Sequence, residues 1–264
     1  MMACGGRGAA PDGAGSEAKP RLGATGVPPV VAGVSPATLE GETPSTTDET
    51  SVAPMRGFAA PHEKLTLNTQ RLGSVIAALK NCGAKRVIDI GCGEGHLLQL
   101  LVKERQFTDI TGVDVSHFAL ARAADKLKLE RASDSLRERI QLIQGSLTYK
   151  DARFGGYDAA CVVEVVEHLD IARLAAFERV LFEFAKPPAV VLTTPNREYN
   201  ANYENLLDGD KRHSDHRFEW TRAEFRDWAA KVAERFGYTV QHSEIGDMDK
   251  THGAPTQMAV FTCA

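Results

Sequence analysis

Glu164, Glu167 and His168 fall within five consecutive positions of a 264-residue chain, and their donor atoms suit a divalent cation. Two carboxylates bring hard oxygen donors and the imidazole a borderline nitrogen, a mixed set that fits manganese or magnesium. Relative positions 0, 3 and 4 share one face if the segment is a single helical turn. A second cluster, Arg212-His213-Ser214-Asp215-His216-Arg217, offers two more imidazoles. The reading is a metal site at the mouth of a nucleotide-type fold, opened by the first cluster and completed by the second. Taken alone, the first spacing also fits a packing histidine beside a glutamate that caps the next helix.

Such a site needs elements that deliver it. The apolar run Ala159-Ala160-Cys161-Val162-Val163 ends at Glu164, so the acids leave the end of a buried strand. Upstream, Arg86-Val87-Ile88-Asp89-Ile90 breaks into Gly91-Cys92-Gly93-Glu94-Gly95, after which Leu97, Leu98, Leu100 and Leu101 open a helix. Strand, glycine turn and helix N-terminus make a nucleotide-binding arrangement. A second strand near 110–115 puts Asp114 23 residues after Gly91, about the offset at which a carboxylate meets a ribose diol. Position 96 is His, so the dinucleotide pattern G-x-G-x-x-G is broken. The glycines alone would serve a tight βα turn equally well.

Periodicity fills in the rest. Leu72, Val75, Ile76 and Leu79 predict a helix over about 66–81, and further helices are expected through 119–129, 171–185 and 221–236. The last opens on a capping box, Thr221 to Glu224, and buries Phe225, Trp228, Ala229, Val232 and Phe236. Strands are expected at 140–144, 157–163, 190–194, 239–245 and 256–262. Strands alternating with helices predict an α/β fold with a mostly parallel seven-stranded sheet. The last two strands have no helix between them and predict an antiparallel edge hairpin.

Bulk properties exclude several classes. A net charge of −4 rules out a global basic field, so any nucleic-acid contact must be local. Five scattered cysteines without a C-x-x-C pair point to a reducing compartment rather than to disulfides or structural zinc. No apolar run reaches the roughly 18 residues of a membrane span, and the N-terminus has no signal-peptide core; a cytoplasmic location is the expectation. Residues 1–60 hold 10 of the 23 glycines and 7 of the 12 prolines, with Phe58 the one aromatic, so they are expected to be a disordered tail before a catalytic domain at 61–264.

The short glycine pattern preceded by Asp89 resembles motif I of class I S-adenosylmethionine-dependent methyltransferases. That resemblance implies that Gly91 and Gly93 admit the methionine part of the cofactor, that Asp114 accepts both ribose hydroxyls, and that Ser146 sits beside the adenine. Thr193-Thr194-Pro195-Asn196, the D-H-x-F-E-W-T run from Asp215 to Thr221, and Pro255-Thr256-Gln257 join Glu164-x-x-Glu167-His168 in a narrower likeness. Together they resemble RNA 3′-terminal ribose 2′-O-methyltransferases of the Hua-enhancer type, over about 62–262. The resemblance implies one divalent ion held by Glu164, Glu167, His168 and His216, and the mixed oxygen and nitrogen set suits manganese in preference to magnesium. His216 thus counts as a catalytic residue, and His213 is a candidate base or RNA contact. It further implies an RNA 3′ end as substrate and, by analogy with bacterial relatives, a polynucleotide kinase-phosphatase as partner.

Arg212, Arg217 and Arg222 flank the expected site and are candidates for the terminal phosphates. The helical stripe Arg122, Lys126, Lys128 and Arg131 is a candidate of lower rank than a plain solvated face. Phe218 and Trp220 offer stacking surfaces or core. Two rivals are disfavoured: a small-molecule O-methyltransferase of the ubiquinone-biosynthesis type, which shares the Glu-x-x-Glu-His pattern but not the second His motif or the T-P-N segment, and a non-enzymatic RNA-binding scaffold, against which the intact glycine turn, Asp114 and the full metal set argue.

Overall fold

The computed structural model of the chain describes residues 65–204, 206–207 and 209–264, and the tail expected over 1–60 lies outside them. Seven strands form one sheet: β1 Arg86–Ile90, β2 Asp109–Asp114, β3 Ile140–Gln144, β4 Ala159–Val163, β5 Ala189–Pro195, β6 Tyr238–Ile245 and β7 Thr256–Cys263. Their order is β3-β2-β1-β4-β5-β7-β6. The first five run parallel, and β7 enters antiparallel between β5 and β6. The predicted hairpin is therefore present, with β6 rather than β7 at the edge.

Helices α1 Leu67–Asn81, α2 His96–Leu101, α3 His117–Lys126, α4 Asp134–Arg139, α5 Ile171–Glu178 and α6 Arg222–Phe236 surround it. Strand parity distributes the core over both faces. Ile88, Ile90, Ala160 and Val162 join Phe177, Phe182, Phe225 and Phe261 on one side. Val87, Ala159 and Cys161 join Leu72, Val75, Leu79 and Leu101 on the other. The helix expected through 171–185 is present but widens into a π-helix over Arg179–Ala185. The capping box of α6 forms as predicted, with Gly237 closing the helix at φ 78°.

The strand order reverses between β1 and β4. Chains leaving these neighbours turn to opposite sides, which opens a crevice at their carboxyl ends.

Candidate active site

The turn after β1 and the turn after β4 meet in that crevice. Gly91 has φ 83°, and a Cβ there would lie 2.5 Å from a methyl of Val165. Glycine at 91 is thus what allows the metal-type segment to close over the cofactor-type turn. A cleft of about 530 Å³ runs between them. Gly91, Asp114 and Ser146 line one end, and Glu164, His168 and Asp215 the other. Gly93 does not line it; its N–H donates to Asp114 Oδ2 at 2.9 Å, and the Ser116 N–H donates to Oδ1 at 2.8 Å. Two backbone donors thus orient the Asp114 carboxylate and leave acceptor capacity for a diol.

Asp89 is buried beneath this turn. Burial, reinforced by the Asp114 charge, pushes its carboxyl up to about 7. Its folded value then lies above the unfolded value of about 3.9, so the fold favours the neutral acid. The resulting cost is absent below about pH 4, grows up to about pH 7 and is constant beyond. Asp89→Asn is expected to raise stability by about 1–3 kcal/mol at pH 8 and to change it little at pH 4. Thermal unfolding at both pH values checks this, and an equal gain at both would count against it.

The first cluster is not one helical turn. Glu164 sits in the left-handed region, φ 53°, and only Val166–His168 form a 3₁₀ turn. Positive φ at a non-glycine residue costs about 1–3 kcal/mol, and the contacts of Glu164 hold it there. Its N–H donates to the Thr193 carbonyl and to Thr193 Oγ1, while that hydroxyl donates to Glu164 Oε1 at 3.0 Å. Arg71 of α1 pairs with Oε2 at 3.1 Å. Burial raises the Glu164 carboxyl, with the Arg71 charge opposing.

Glu167 is completely buried. Thr194 Oγ1 donates to Oε2 at 3.1 Å, whereas Oε1 has no hydrogen-bond partner among the described residues. Burial, and after it the neighbouring Glu164, pushes this carboxyl well above the usual range. Ligand atoms of Glu167, His168 and His216 all lie within 4.8 Å of one another. The two imidazole rings stand edge to face, 4.8 Å between centroids. Burial, ahead of the nearby His216, lowers the His168 pKa against the pull of Asp215, which keeps the ring neutral and able to donate a lone pair. A buried carboxylate with one oxygen lacking a hydrogen-bond partner among the described residues, clustered with two imidazoles, fits a bound cation. Glu164 stands beside this triad, held by Thr193 and Arg71, rather than within it.

The second cluster supplies support as well as a ligand. Asp215 lies 2.7 Å from His213 Nδ1 and 3.2 Å from His168 Nδ1, and Glu219 lies 2.6 Å from His216 Nδ1. His213 is 71% exposed at the rim. Arg212 and Arg222 are not free for phosphates. Arg212 donates inward to Pro255 O, Asn196 O and Asn200 Oδ1, and Arg222 pairs with Glu198. In the helical stripe, Arg122 and Lys126 are engaged by Glu94. Arg217 remains 63% exposed, 3.7 Å from Asp170. Trp220 stacks on Trp228 at 4.8 Å and belongs to the core packing.

Sequence reasoning gave no role to Arg71, Arg173 or Glu219. Arg173 lines the cleft, and its guanidinium has no hydrogen bond or ion pair among the described residues. Arg71 lies 93 residues before Glu164, beyond any local spacing rule. Glu219 did carry a signal, a carboxylate three positions after His216.

No helix among the described residues is long and apolar enough to cross a membrane. A family model described as a methyltransferase domain matches residues 61–243. The chain is 36% identical over 208 residues to a small RNA 2′-O-methyltransferase of Xenopus tropicalis, covering 75% of this chain and 55% of that protein. The chain thus spans about half the length of that relative. It is 58% identical to the crystal structure of the methyltransferase domain of bacterial CtHen1, with a TM-score of 0.70, covering 75% of this chain and 100% of that one. A chain in the Pnkp1/Rnl/Hen1 RNA repair complex is 21% identical with a TM-score of 0.57, a likeness of fold. On the strength of the matched domain and the likeness to the bacterial Hen1 methyltransferase domain, the chain belongs to the class I methyltransferases, in the Hen1 methyltransferase-domain family.

Proposed function

We propose that the protein transfers a methyl group from S-adenosylmethionine to the 2′-hydroxyl of the 3′-terminal ribose of an RNA, at a site that uses one divalent ion. The observation that carries this reading is the buried Glu167, its Oε1 without a hydrogen-bond partner among the described residues, clustered with His168 and His216 next to a crevice that His168 lines together with Asp114 and Ser146. Glu167, His168 and His216 would hold the ion, and Glu164, paired beside them with Thr193 and Arg71, would have to turn its carboxylate toward the ion to serve as a fourth donor. A mixed oxygen and nitrogen set favours manganese over magnesium, which prefers oxygen and keeps its waters. Bound there, the cation would favour the ionised form of a weakly acidic hydroxyl.

The residues of the chain supply binding and alignment. Asp114 accepts the cofactor ribose hydroxyls, Ser146 borders the adenine, and Gly91 leaves room for the methionine part while Asp89 and Gly93 shape the turn. In the transfer the substrate oxygen would displace the thioether sulfur from the methyl carbon in line, leaving S-adenosylhomocysteine and giving up the hydroxyl proton to solvent, a step that depends mainly on positioning. Arg173 lines this crevice and Arg217 is exposed beside Asp170, and both suit the terminal phosphates. His213, exposed at the rim and tied to Asp215, suits an RNA contact better than a buried base. A polynucleotide kinase-phosphatase partner belongs to the same reading, supported by the RNA repair assembly that contains a chain of this fold.

Only a terminal ribose offers adjacent free 2′ and 3′ hydroxyls, a pair able to share one cation. Labelled methyl transfer to RNA ending in 3′-OH, 3′-phosphate or 2′-O-methyl tests this. Transfer is expected only to the free diol and only with metal; equal transfer to a 3′-phosphate end refutes the diol requirement.

A further inference from the structure

The Glu219 side chain is fully buried and does not line the cleft that Asp114 and His168 share. Its oxygens receive three hydrogen bonds. Oε1 accepts from the Arg212 backbone N–H at 2.7 Å and lies 2.6 Å from His216 Nδ1. Oε2 accepts from Asn200 Nδ2 at 2.6 Å. Asn200 Oδ1 in turn accepts from Arg212 Nε and Nη2, and Arg212 anchors on the Asn196 and Pro255 carbonyls at 2.8 Å. A carboxylate held by donors on both oxygens acts as an acceptor toward the imidazole, so Nδ1 carries the ring proton and Nε2 holds the lone pair.

We propose that Glu219 is the positioning residue of the cation site, locking His216 in the tautomer that presents Nε2 beside Glu167 and His168. The inference rests on the reading of that cluster as a metal site. A carboxylate behind a ligating imidazole fixes ring orientation and raises its basicity. The other histidine lacks an equivalent device. Its partner Asp215 is 61% exposed, lies 3.2 Å away and is shared with His213. The two imidazoles therefore differ: His216 is set by the fold before any ion binds, and His168 is held loosely.

Glutamine at 219 cannot reproduce this arrangement. Its oxygen can face either the Arg212 N–H and His216 or Asn200, but not both. With its amide NH₂ toward the ring, it would favour the opposite tautomer, with a proton on Nε2.

Two measurements on the whole chain decide the matter. In metal-free wild type at about pH 8, nitrogen NMR of the histidine rings should show His216 with Nδ1 protonated. Calorimetric Mn²⁺ titration should show Glu219→Gln binding about 10–100-fold more weakly than wild type, and Asp215→Asn less than about 10-fold more weakly. Cofactor affinity, read in the same preparations, should stay unchanged and report that the variants are folded. An Nε2-protonated His216 in wild type, or a folded Glu219→Gln with wild-type Mn²⁺ affinity, overturns the proposal. Should Glu219→Gln fail to fold, the wild-type tautomer decides alone. Wild type that binds no Mn²⁺ would instead refute the metal reading itself.

Discussion

Glu167→Gln is expected to cut methyl transfer by roughly 10³-fold or more, yet to raise the melting temperature of the metal-free protein. The activity loss follows because a cation supplies several kcal/mol toward a hydroxyl nucleophile, and each 1.4 kcal/mol is about tenfold in rate. The stability gain follows because Glu167 is wholly buried with Oε1 unpartnered among the described residues. Relieving a buried, unpaired charge stabilises by about 1–3 kcal/mol, or a few degrees for a domain of this size. Adding Mn²⁺ should reverse the order, since binding to the native state stabilises only the protein that holds the ion. His216→Ala should lose activity equally but gain no stability, because it removes a donor from buried Glu219. Cofactor affinity should survive in both. Activity within about tenfold of wild type in Glu167→Gln, or full wild-type activity in excess chelator, would sink the metal mechanism.

Arg212→Ala should destabilise the fold rather than merely weaken RNA binding. The side chain satisfies the Asn196 and Pro255 carbonyls and Asn200 Oδ1, and it lies over the Tyr203 ring at 5.1 Å. Stranding these acceptors costs about 1–3 kcal/mol each, or about 3–5 kcal/mol together once the loop relaxes. That corresponds to a fall of about 10 °C or more in melting temperature. Arg212→Lys should recover only part of it, because lysine lacks the planar fork that reaches several carbonyls at once. A phosphate contact would behave differently, leaving the melting temperature alone and reducing the salt slope of RNA binding by about 1. Scanning calorimetry beside RNA titrations at several salt concentrations separates the two. An unchanged melting temperature would return Arg212 to the list of RNA contacts.

The D-H-x-F-E-W run shows how one motif divides its labour. His216 faces the cation cluster, while Asp215 and Glu219 brace the two imidazoles from behind. Phe218 and Trp220 pack on the α6 core, and Thr221 caps that helix. A short stretch thus ties a ligand, its support and its anchor to one helix start.

Much of this protein was settled by local chemistry. Binary patterning, glycine punctuation and the capping box determine the seven strands, their helices and the crossover crevice, because periods of 2 and 3.6 are properties of the chain itself. The acid–histidine spacing and the His216 motif likewise named Glu167, His168 and His216, which cluster, along with Glu164, which stands beside them. Three matters were beyond local pattern. The helical-turn picture of Glu164 failed because Thr193 and Arg71, neighbours only in space, hold it at positive φ. Arg212 looked like a surface cation because sequence shows charge but not burial, and three inward acceptors claim it. The burial that leaves Glu167 Oε1 unpartnered belongs to no residue alone. It arises where the ends of β4 and β5 and the 212–221 loop close around one point, and that closure exists only in the folded chain.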